Sequence, residues 1–99
     1  MNMIINVKHE LPQQVVVDKI KYLLESTVNE HAGLISAHDF IWTGNFCDIR
    51  VSAMKMHIKG NVEVQRDGVM VDVKVPLIFH GYQSKIKKVI EDELNKILK

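Results

Sequence analysis

The segment 56–76 restricts the fold more than any other stretch of the chain. Two runs of alternating apolar and polar residues flank Asp67-Gly68, a pair that predicts a β-hairpin closed by a type I′ turn with positive φ at both central residues. Counting outward sets Val64 opposite Val71, Val62 opposite Val73 and Gly60 opposite Val75, all on one face. The other face carries His57, Lys59, Asn61, Glu63, Gln65, Asp72 and Lys74, with Met70 as its apolar member. One face therefore packs on a core while the other meets water.

The same alternation recurs upstream, over 38–43 and 46–54, around Gly44-Asn45, which suits a type II′ turn. That register puts Trp42 opposite Cys47 and Phe40 opposite Ile49. A connection at Met54-Lys55 puts Ala53 opposite Met56, Val51 opposite Ile58, Ile49 opposite Gly60 and Cys47 opposite Val62, although neither Met nor Lys is favoured in such a turn. The four segments form an antiparallel meander at 38–43, 46–54, 56–66 and 69–76. A fifth, short strand is expected over 3–9.

Two helices complete the pattern. The first, over 12–31, begins at Pro12, whose missing N–H costs nothing in a first turn, and carries Val16, Ile20, Leu23, Leu24, Thr27 and Val28 as one stripe. Gly33 is its expected stop. The second, over 83–98, presents Ile86, Val89, Ile90, Leu94, Ile97 and Leu98. The order β-α-β-β-β-β-α predicts a single α+β domain over 1–99. Both helices should cover the sheet face that bears Phe40, Trp42, Ile49, Val62, Val64, Val71 and Val73.

Thirteen basic and twelve acidic side chains in 99 residues argue against a dedicated nucleic-acid partner, which would bring a strong basic excess. The single cysteine, Cys47, suits a reducing cytoplasm, and no window resembles a signal peptide or a transmembrane segment. The five histidines, His9, His31, His38, His57 and His80, have no metal-ligand spacing, so no metal and no cofactor is expected. His9 stands out, because it lies where the first strand gives way to the first helix. Cys47 points towards the core beside Trp42, where a thiol is inert packing. No serine sits in a nucleophile elbow and no glycine-rich phosphate loop is present, so the chain is not expected to be an enzyme.

Two features depart from the ordinary. The connection 77–82, Leu-Ile-Phe-His-Gly-Tyr, is apolar where loops are usually polar. By default it folds back as a lid on the core; otherwise it is a contact surface. Beyond it, Lys85, Lys87 and Lys88 crowd the start of the last helix and Glu91, Asp92 and Glu93 follow, the reverse of what the helix dipole favours. Lys87 with Glu91 and Lys88 with Asp92 are spaced as i, i+4 pairs.

The residues Ile5-x-Val7-x-His9-x-Leu11, Gly60-x-Val62-x-Val64, Val71-x-Val73-x-Val75 and Ile86, Ile90, Leu94 and Leu98 together resemble a family of small bacterial polyhydroxyalkanoic acid system proteins. The chain order is also similar to a reduced helix-grip arrangement, in which a C-terminal helix packs in the concavity of an antiparallel sheet. The family resemblance implies a granule-associated accessory protein, in the cytoplasm that the cysteine usage suggests, whose partner is a polymer granule surface or a granule protein. Leu77, Phe79, Tyr82, Lys85, Lys87 and Lys88 would then form the contact. The alternative is a small apolar ligand held between the sheet and the C-terminal helix, with the same apolar side chains rimming the pocket.

Overall fold

A computed structural model describes residues 2–99. The elements follow in the order β1 (Asn2–Lys8), α1 (Gln13–Glu30), β2 (Ile35–Thr43), β3 (Phe46–Ala53), β4 (Met56–Val64), β5 (Gly68–Lys74), a 3₁₀ segment (Leu77–Tyr82) and α2 (Gln83–Ile97). The strands form one antiparallel sheet in the order β1-β5-β4-β3-β2, so the N-terminal strand closes the meander on its β5 side. Both helices lie on one face, α1 against β4 and α2 against β1. This is the expected α+β architecture.

The upstream registers are those the alternation predicts. Trp42 pairs with Cys47 and Phe40 with Ile49, and across the next hairpin Ala53 pairs with Met56, Val51 with Ile58, Ile49 with Gly60 and Cys47 with Val62. Gly44 has φ +61°, as a type II′ turn requires at its first central position. Met54 and Lys55 have φ of 52° and 64°, so this tight turn forces two L-residues into the left-handed region. That conformation costs about 1–2 kcal/mol for each such residue. Replacing Met54-Lys55 with Asn-Gly should therefore raise stability by about 1–2 kcal/mol in a urea melt. An unchanged midpoint would show that the turn is not strained.

The downstream hairpin corrects the expected register. Val64 pairs with Val69, Val62 with Val71 and Gly60 with Val73, two residues from the predicted partners but on the same face. The Gln65 N–H donates to the Gly68 carbonyl at 2.8 Å, so the turn is Arg66-Asp67, and neither residue has positive φ. The cause is tertiary. Gly68 is a strand residue paired with Lys8 of β1, and a Cβ there would lie 3.2 Å from the Val7 carbonyl oxygen. The glycine serves close backbone approach rather than turn dihedrals.

The core is built from Met3, Ile5 and Val7 of β1, Val16, Val17 and Ile20 of α1, Cys47, Val62, Val64, Val69 and Val71 of the meander, and Val75, Leu94 and Leu98. Phe40, Trp42, Ile49 and Val73 share that face but are only half-buried. Trp42 is not the fully enclosed aromatic its position suggested; the Lys21 ammonium sits 5.4 Å from its ring centroid, a cation–π contact at the rim. Thr27 is exposed, its hydroxyl donating to the Leu23 carbonyl at 2.7 Å, whereas Val17, outside the predicted stripe, is buried. Gly33 is not a left-handed cap; the helix ends at Glu30, and the His31 N–H donates to Thr27.

Burial along the helices is uneven in a way that positions the candidate site. In α1 the buried residues are Val16, Val17 and Ile20, all in its first half; in α2 the buried residue is Leu94, near its end, with Leu98 just beyond. The cover is thus complete where α1 starts and α2 finishes. It thins towards the end of the sheet where β3 turns into β4 and β5 gives way to the 3₁₀ segment.

Candidate functional site

The apolar connection 77–82 is a 3₁₀ segment, entered from Pro76 with the Phe79 N–H donating to the Pro76 carbonyl at 2.9 Å, and it runs directly into α2. It is not a closed lid. Leu77, Ile78 and Tyr82 are 80%, 73% and 59% exposed, and only Phe79 packs against the core cluster. Such exposure of large apolar side chains on one short segment leaves them available to a partner.

Beneath this segment a groove of about 650 Å³ runs between the start of α2 and the ends of β4 and β5. Ile58, Val73 and Val75 line it from the sheet, and Phe79, Ile86, Val89 and Ile90 from the helical side. Tyr82 and Lys85 supply its polar tips. Of the six residues expected to form a contact, Phe79, Tyr82 and Lys85 therefore come together at the groove. Leu77 projects beside it, and Lys87 and Lys88 are exposed on α2 outside the lining. The strand residues Ile58, Val73 and Val75 were placed by register but not among the expected contact residues, because nothing in an alternating pattern distinguishes an inner-face position under a helix from one beside a gap.

The first turn of α2 holds no acidic residue and no side-chain cap. The predicted pairings Lys87–Glu91 and Lys88–Asp92 do not close as ion pairs; among the described residues the ion pair is Lys96–Glu93 at 3.4 Å, at the far end of the helix. The start of α2 is consequently a cluster of uncompensated positive charge next to apolar surface.

Elsewhere, chemistry-bearing groups are tied up structurally. His9 is buried, with Nε2 3.0 Å from the Gln65 carbonyl and Nδ1 accepting from the Leu11 N–H at 3.2 Å. Ser52 Oγ and His57 Nδ1 lie 2.9 Å apart on the outer face of the sheet, a proximity that follows from the β3–β4 register the alternation predicts, in which Ser52 stands opposite His57. Among the described residues no third group orients that ring by a hydrogen bond, and nucleophile activation requires one. No cluster of three or more metal-ligating side chains occurs among the described residues.

Cys47 is fully buried. Burial first, and Asp48 second, push its thiol up to about 11 from 9.0, with Lys21 opposing. The sign follows from linkage: below pH 9 the thiol is neutral in both states, and above it only the unfolded chain ionises freely, which draws the equilibrium towards unfolding. Stability should fall by on the order of 2 kcal/mol across this window, at about 1.4 kcal/mol per pKa unit. Comparing alkaline urea melts of the protein with those of Cys47→Val should isolate this slope, which the variant lacks. Equal slopes would show that Cys47 does not titrate as an enclosed thiol.

No helix among the described residues is long and apolar enough to cross a membrane. No curated protein matches the chain. The sequence model of a family described as "Putative polyhydroxyalkanoic acid system protein" matches residues 3–98, which takes in every strand but the first residue of β1, both helices and the groove between α2 and the sheet. The chain belongs to that polyhydroxyalkanoic acid system family.

Proposed function

We propose that the protein is a non-enzymatic accessory of polyhydroxyalkanoate storage that docks on the apolar granule surface through the 3₁₀ segment and the start of α2. The observation that carries this reading is the exposure of Leu77, Ile78 and Tyr82 beside the uncompensated Lys85, Lys87 and Lys88. Family membership supports the polymer as the apolar phase. Insertion of the apolar side chains would supply binding energy, and the lysines would draw the segment to a negatively charged granule coat.

Co-sedimentation with isolated granules tests it. Phe79 packs against the core, so the informative apolar change is the exposed pair, Leu77→Ser with Ile78→Ser. Losing two aliphatic side chains that docking would bury, at ~1.5 kcal/mol or more each, should weaken association by about a hundredfold at every salt concentration. Changing Lys85, Lys87 and Lys88 to glutamine should weaken it chiefly at low salt, because exposed charges are screened beyond about 8–10 Å at physiological ionic strength. Wild-type sedimentation by both variants would refute the reading.

A further inference from the structure

We propose that the groove beside α2 is a binding site for a single acyl chain ending in a carboxylate, a free fatty acid, with the chain against Val73, Ile86 and Ile90 and the head at Lys85 and Tyr82. The inference goes beyond granule docking and shares Tyr82, Lys85 and Lys88 with it. The volume of about 650 Å³ falls in the range of cavities that hold small molecules. Its lining is aliphatic and aromatic except for the two polar tips, which stand at i, i+3 and so occupy neighbouring positions at the same end. An aqueous groove with this lining suits an occupant that is apolar along its length and polar at one end.

Charge selects the head group. Lys85 has no carboxylate partner among the described residues, and its i+4 neighbour is Val89 rather than an acid. Lys88, one turn further on, adds a second positive charge, and the absence of any acid in the first turn leaves the helix dipole unopposed by protein carboxylates. The inverted charge order of α2 is a local rule broken, and a carboxylate arriving at its first turn would satisfy both the lysines and the dipole. A neutral polyester chain gains nothing from that arrangement; an acyl carboxylate does.

The test is a titration of methyl-labelled protein with sodium decanoate below its micellar concentration, with decanol as the uncharged comparator. Decanoate should shift the methyl signals of Val73, Ile86 and Ile90 and leave those of Val7 and Val69, in the closed part of the core, in place. Lys85→Gln should weaken decanoate by about fivefold to tenfold, the worth of one charge-assisted hydrogen bond at a half-open site, without affecting decanol. Val89→Trp, at a half-exposed position on the groove wall, should block both ligands. Absence of decanoate-dependent shifts overturns the proposal, and so does equal binding of decanoate and decanol by wild type and Lys85→Gln. Leu77→Ser with Ile78→Ser should still bind decanoate, which separates the two sites: decanoate binding without granule association ends the docking reading alone, and granule association without decanoate binding ends this one alone.

Discussion

Replacing His9 by alanine is expected to remove about 2–5 kcal/mol of folding stability, a large part of the ~5–15 kcal/mol typical of a single domain. The side chain is 6% exposed and joins three segments. The Leu11 N–H donates to Nδ1 at 3.2 Å, which fixes Nδ1 as the acceptor and leaves Nε2–H to donate to the Gln65 carbonyl at 3.0 Å. The His9 backbone N–H also donates to the Asp67 carbonyl at 3.0 Å. One neutral imidazole thus ties the β1–α1 junction to the turn between β4 and β5. Alanine would leave the part-buried Leu11 N–H and Gln65 carbonyl without their partner, at a cost of up to about 1–3 kcal/mol each. Two conservative changes divide the effect. In His9→Asn the Oδ1 can replace Nδ1 as acceptor for Leu11, and in His9→Gln the Nε2 can replace the donor to Gln65, so each should recover part of the loss in a urea melt. A loss below about 1 kcal/mol for His9→Ala would mean that water replaces both bonds and that the ring is not a structural tie.

The same residue explains where the sequence was legible and where it was not. The β2–β3 and β3–β4 registers follow from local alternation and two-residue connections, and they hold even though Met54-Lys55 must adopt positive φ. Parity placed the inner face correctly for every strand of the meander. At the β4–β5 turn the local Asp-Gly signal lost to contacts from β1, namely the His9 bonds to Gln65 and Asp67 and the close approach of Val7 to Gly68. Such contacts join residues more than fifty positions apart, as His9 and Gln65 are, and no local pattern carries them. The candidate site divides in the same way. The apolar run 77–82 and the lysine cluster are visible as compositional anomalies. The groove exists only because the chain is buried at Leu94 in α2 and at Leu98 just beyond it but not at Val89, a difference of packing along a segment whose apolar face reads as continuous.

Gly60→Val is expected to cost about 3 kcal/mol, through overpacking rather than loss of contacts. Gly60 lies in the middle of β4, paired with Val73 on one side and Ile49 on the other. A β-strand interior ordinarily favours valine over glycine, so propensity alone predicts that the change stabilises. Geometry opposes it. An ideal Cβ at Gly60 would stand 2.8 Å from the Asp72 carbonyl oxygen and 3.5 Å from Val73 Cα, both backbone atoms of β5 that move only if the sheet moves. Valine adds two further methyl groups to that contact, whereas alanine adds none, so Gly60→Ala should be destabilising by a smaller amount, about 1–2 kcal/mol. Gly33→Ala provides the control, because nothing lies within 4 Å of its Cβ position and its φ is not positive. Urea melts should therefore rank the variants Gly33→Ala, Gly60→Ala, Gly60→Val in order of increasing loss. If Gly60→Val instead matched or exceeded the wild-type midpoint, β4 and β5 would not approach as closely as 2.8 Å implies, and strand propensity would decide the position.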